Sequence, residues 1–233
     1  MSRGPGWAHW TPAALLGAVL LAGCATDNEP PAPPPEPKSL AGSPPSVEAA
    51  LLTTAELGEG WVDLGATPFE QRGLAACPPT NVLTAQEDDR RLGEAQTHHR
   101  QGDEDPAPVF FESISLWESP EAAEASLSEF GTAPTVCTGG THRTPDGREA
   151  QLTFDERPAP ELGEQAVAQV LRFDFQDTPD QFVDLIAVRL GDVVVFTNGE
   201  RFEGDPDSSL DTDRLVELTR RAVEKVEGSL PLR

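Results

Sequence analysis

The apolar positions of the chain change period several times, and each change marks an element. In "VFFESISLWESPEAAEASLSEF" the first half alternates. Phe110, Glu112, Ile114 and Leu116 fall on one side of a strand, and Phe111, Ser113, Ser115 and Trp117 on the other. From Ser119-Pro120 the spacing becomes helical and puts Ala123, Leu127 and Phe130 on one stripe. Proline suits the first helical position because no N–H is needed there. "REAQLTFDE" alternates Ala150, Leu152 and Phe154 with polar neighbours, and "QVLRFDF" alternates Leu171, Phe173 and Phe175 with Arg172 and Asp174. Both predict strands with one covered face and one wet face. "FVDLIAVRLGDVVVFTN" predicts a hairpin turning at Gly191-Asp192, where glycine supplies positive φ. "DTDRLVELTRRAVEKVEG" places Leu215, Leu218, Ala222 and Val226 on one helical face, capped by Asp211 or Thr212 and ended by Gly228. Asp211 and Asp213 lie at its start and Arg220, Arg221 and Lys225 in its later half, the order the helix dipole favours.

Nearer the start, "SVEAALLTTAELGEGW" offers Ser46 as a cap, Thr53 with Glu56 as a capping box and Gly58 as a stop. It predicts one helix or two short helical pieces. A weaker strand is expected near Glu94–Arg100. The sum is an α+β domain: a mostly antiparallel sheet of about six strands packed by three or four helices.

The apolar run Ala13–Gly23 obeys neither period. At ~1.5 Å per helical residue it is far short of the ~30 Å core of a bilayer. It follows Arg3 and ends in small residues, as a secretory signal does. Leu21-Ala22-Gly23-Cys24 resembles the bacterial lipobox, which implies a signal peptide over residues 1–23 and diacylglyceryl attachment at Cys24. Two fatty chains, each contributing ~0.8 kcal/mol per buried CH₂, would hold the protein on the outer face of the cell membrane. Residues 24–46 are rich in Pro, Ala, Glu, Asp and Ser, with too little apolar surface to order themselves. They predict an extended tether reaching roughly 60 Å. Residues 47–233 then form a single domain.

Composition narrows the partners. The formal net charge of −23 argues against nucleic-acid binding and against adhesion of the folded domain to anionic lipid. With Cys24 acylated, Cys77 and Cys137 remain, and an oxidising compartment makes a single disulfide the expected outcome. On the chain-entropy account such a long loop gains ~4 kcal/mol from the bridge.

Several pieces in order, namely "LLTTAELGEGW", a strand running straight into "SPEAAEASLSEF", "ELGEQA", "VRLGDVVVF" and a C-terminal amphipathic helix, resemble the extracellular sensor domain of PknH-type actinobacterial serine/threonine kinases. Free-standing actinobacterial lipoproteins carry the same domain. The resemblance implies a central antiparallel sheet, packed helices, disulfide bonding and a ligand cleft. The kinase sensor has two bridges where this chain offers Cys77 and Cys137 alone.

No catalytic motif competes with that reading: GxSxG, HExxH and the P-loop are all missing, and no cofactor is implied. His98 and His99 are adjacent, so on a strand they face opposite ways and cannot chelate one ion. "DEDP" and "DPDSSLDTD" lack the full EF-hand pattern and read as solvated loops. Trp61 and Trp117 are expected in the core and are also the candidates for lining a cleft. The expected function is a non-catalytic, lipid-anchored, ligand-binding or sensor-like domain taking a small molecule or lipid. The alternatives are an interaction module for an envelope protein and, further off, an envelope hydrolase.

Overall fold

The hairpin forms where the pattern puts it: β7 (Gln181–Leu190) and β8 (Val193–Phe202) pair antiparallel across Gly191-Asp192. Gly191 has φ +57°, and a Cβ there would run into the Arg233 carbonyl. Asp192 does more than turn the chain. Its buried carboxylate accepts from the Arg233 amide at 3.2 Å and from Arg233 Nε at 2.7 Å, while its carbonyl accepts from Trp117 N at 2.8 Å. The turn therefore clamps the C-terminal segment as well.

The computed structural model describes residues 47–65, 77, 79, 89–103, 107–137, 139–143, 147–176, 178–207 and 209–233. The segment 1–46, with Cys24, the signal and the tether, lies outside the described residues, as do 104–106 of "DEDP". The remaining strands are β1 (Trp61–Gly65), β2 (Arg91–Gln101), β3 (Val109–Trp117), β4 (Gly140–Arg143), β5 (Glu149–Arg157) and β6 (Gln165–Phe175). One antiparallel sheet runs β1-β2-β3-β8-β7-β6-β5-β4. It is thus two meanders, β1–β3 and β4–β8, joined where β3 pairs with β8.

The sheet has eight strands where about six are expected. The two unforeseen ones, β1 and β4, are its edges, five and four residues long and mostly exposed. Strands this short give too few residues for a period to show, and short edges resist pairing with other chains.

The helical elements form from their caps inward. In α1 (Thr54–Leu57) the capping box is complete: Glu56 N donates to Thr53 Oγ1 and Thr53 N to Glu56 Oε2. A 3₁₀ turn at Val47–Ala50 precedes it. α2 (Pro120–Gly131) starts on Ser119, whose hydroxyl accepts from Ala122 N. The short α3 (Ala133–Val136) follows. α4 (Thr212–Ser229) starts on Asp211 and runs one residue past Gly228.

Two apolar layers result. The first face of the sheet buries Phe110, Ile114, Ile186 and Val195 under α4 and the segment 47–57. The second buries Phe111, Leu171, Leu185 and Phe196 under α2, which carries the chain from β3 across toward β4 at the far edge. Cys77 and Cys137 are bridged, with Cα atoms 5.5 Å apart, and Cys77 is buried within the second layer.

Candidate functional site

The second face is apolar toward β5–β7 and polar toward β2–β3. On β3 the inward residues read Phe111, Ser113, Ser115, Trp117, two small hydroxyls between two rings. β2 sets Glu94 opposite Ser115, Gln96 opposite Ser113 and His98 opposite Phe111. Glu94 gathers this strip: it accepts from Arg91 Nη1 at 2.7 Å, Gln96 Nε2 at 2.7 Å and Ser113 Oγ at 3.2 Å. His98 meets Phe111 edge-on at 5.4 Å. Burial, and then the neighbouring His99, hold its pKa below the usual imidazole value, so it is neutral at pH 7.

Across β3 lies Asn198 of β8, paired in register with Phe111 and Leu185 and 1% exposed. Its Nδ2 is buried without a hydrogen-bond partner among the described residues, and so are Trp117 Nε1 and the Ser126 hydroxyl on the sheet-facing side of α2. An unpaired buried donor or acceptor costs ~1–3 kcal/mol, and native folds keep few of them. The first face has unpaired buried atoms too, Trp61 Nε1, His99 Nδ1 and Glu112 Oε1, but only between the second face and α2 do they lie beside a row of serines and amides, a setting in which a bound molecule can supply partners.

The two tryptophans do not share a cleft. Trp61 belongs to the first layer, edge-on to Phe110 at 6.4 Å, with the Arg214 guanidinium 6.0 Å from its ring. Trp117 belongs to the second, fully buried, with Arg90 and Arg91 at 5.8 and 5.1 Å over its ring. His98 and His99 do face opposite ways, toward Phe111 and Phe110 respectively. Among the described residues no cluster of three His, Cys, Asp or Glu is placed to hold a metal ion.

The residues that sequence reasoning passed over are Glu94, Ser113, Ser115 and Asn198. A signal for them existed: a strand with apolar residues on both sides is a buried strand, and polar residues inside it then need a reason.

An open groove of about 430 Å³ lies elsewhere, where the β4–β5 hairpin meets the end of β6. Its charges are internally matched: Arg143 pairs with Glu149, and the Arg148 guanidinium stacks over Phe175 at 5.0 Å. The described residues lining it contribute no buried polar atom without a partner.

Among solved structures the chain is similar to the extracellular domain of PknH from Mycobacterium tuberculosis. The TM-score is 0.53 at 13% identity, over 80% of this chain and 100% of that one. It also matches CalU16 from Micromonospora echinospora with a TM-score of 0.26 at 12% identity, over 58% of this chain and 85% of that one. No protein-family model matches the chain, and no curated protein matches it by sequence. The likeness to the PknH domain is one of fold. No helix among the described residues is long and apolar enough to cross a membrane.

Proposed function

We propose that the chain is a non-catalytic, sensor-like domain of the bacterial envelope, held outside the membrane by acylated Cys24 and binding a ligand on the second face of its sheet. The lipobox-like quartet and the proline-rich stretch support the anchor, and the shared fold with an extracellular sensor domain supports the class. The observation that carries the ligand is the set of buried unpartnered groups, Asn198 Nδ2, Trp117 Nε1 and Ser126 Oγ, beside the Glu94–Gln96–Ser113 strip. Serines, amides and an indole N–H suit a molecule with neutral hydroxyl or carbonyl groups. Rings beside them supply apolar contact.

Native mass spectrometry of protein from its own host tests the reading. The wild type is expected to carry a non-covalent adduct that is released on denaturation. Asn198→Leu is expected to lose that adduct while remaining, ligand-free, at least as stable as ligand-free wild type. Equal adduct on both proteins would refute the site.

A further inference from the structure

The first face holds a polar cluster of a different kind. Glu112 sits in the middle of β3 with none of its surface exposed, opposite Thr97 of β2 and Thr197 of β8. Its Oε2 accepts from the Leu52 amide at 2.9 Å, and its Oε1 has no partner among the described residues. One step along β2, His99 Nε2 lies 3.2 Å from the Leu52 carbonyl. A single peptide residue is thus gripped at both ends by two buried titratable side chains. Leu52 belongs to the segment that follows residues 24–46 and roofs the first layer with Val47, Ala50 and Leu57.

The charges around this grip are committed elsewhere. Lys225 of α4 donates to the Leu51 carbonyl at 2.6 Å and to Glu56 Oε2 at 2.7 Å, and Arg221 donates to the Glu56 carbonyl. Asp63 of β1 accepts from Thr97 Oγ1 at 3.4 Å. From β8 the neighbour is neutral Thr197, which pairs with Thr219 of α4 at 2.7 Å. Among the described residues no cation pairs with Glu112.

We infer that Glu112 and His99 form a pH-operated clasp on the segment 47–57, closed while Glu112 is protonated and loosened when it ionises. Burial pushes the Glu112 carboxyl up to about 8, against pulls from the Leu52 amide and Lys225, with Glu56 adding to the rise. Once the segment lifts, water reaches the carboxyl and it returns toward 4.5. The closed form therefore binds the extra proton, and opening becomes easier by about tenfold per pH unit as pH rises toward 8, then levels off. His99 acts with the opposite sign. Burial lowers its pKa, so below 6.5 the opened form takes up the proton more readily and acidification also favours opening. The two slopes oppose each other below pH 6.5 and leave only the Glu112 slope above it. The clasp stands independently of the ligand site on the other face.

Amide exchange on the full chain, corrected for intrinsic rates, tests it. Between pH 6.5 and 8.5 the protection of residues 51–57 is expected to fall more than about tenfold, while the 182–198 hairpin keeps its own. Glu112→Gln retains an oxygen to accept from Leu52, and its protection is expected to stay level within about twofold. Unchanged wild-type protection, or an equal fall in the variant, would overturn the clasp. Should the variant not fold, the Glu112 carboxyl resonance of the wild type decides. It must titrate in step with the loss of Leu52 protection, and a carboxyl titrating below pH 6 would overturn the clasp.

Discussion

Both faces of the sheet bury polar residues, and they use them differently. On the first face the chain closes over itself. Thr197 meets Thr219, Lys225 meets Glu56 and Leu51, and Glu112 and His99 hold Leu52. Glu56, hydrogen-bonded by Lys225 and then by Thr53, is pulled down to about 2. On the second face Asn198, Trp117 and Ser126 keep polar atoms for which the described chain has no partner. The first face keeps such atoms too, Trp61 Nε1, His99 Nδ1 and Glu112 Oε1, but its titratable groups hold the chain's own segment 47–57, whereas on the second face the open groups lie beside a strip of serines and amides. The difference cannot come from local preference, because neighbouring residues of β3 and β8 contribute to both.

The largest expected effects come from removing the apolar anchors, one on each face. Leu218→Ala should lose ~2–5 kcal/mol and Trp117→Ala ~3–5 kcal/mol, through lost burial and residual cavities. Both are read from urea melts. If Trp117→Ala instead kept its stability and lost only the adduct, the ring would be a binding residue rather than a wall, and the division of the second face would have to be redrawn.

Next comes the disulfide, which sits at the second layer. Replacing both Cys77 and Cys137 with Ala opens a loop of sequence separation 60 and should cost about 2–4 kcal/mol. Exchange protection should fall first around α3 and the second layer. A uniform loss over both faces would mean that they are one cooperative unit and that the contrast between them is only geometric.

Most of the framework was legible because it is written in periods. The turn at Gly191-Asp192, the switch at Ser119-Pro120, the Thr53/Glu56 box and the apolar face Leu215–Val226 all stand where the sequence puts them. The wet side of β5 and β6 was equally plain: Gln151, Thr153 and Asp174 are outward while Leu152, Phe154 and Phe173 are buried. What could not be read is anything that depends on which strands are neighbours. The β3–β8 pairing joins segments far apart in sequence, and it alone brings Asn198 beside Phe111 and buries Glu112 under Leu52. Trp61 and Trp117 were sensible cleft candidates for the same reason. Only the register assigns them to opposite faces.

The smallest expected effect is the sharpest probe of the comparison, because it uses adjacent residues of one strand. Thr197 points into the first face and Asn198 into the second. Thr197→Val keeps the shape but removes the hydroxyl that pairs with Thr219, whose own bond to the Leu215 carbonyl at 2.8 Å survives. The cost should be about 1 kcal/mol, that of one buried hydrogen bond. Asn198→Leu removes a donor that has no partner and fills its place with an apolar side chain of similar bulk between Phe111 and Leu185. The empty protein should then be unchanged or more stable by up to about 1 kcal/mol, as expected where a site is kept at the expense of the fold. Urea melts of the two variants, measured on ligand-free protein, should place Asn198→Leu about 1–2 kcal/mol above Thr197→Val. If both fell equally, Asn198 would be as well satisfied as Thr197, and the proposed ligand site on the second face would lose its support.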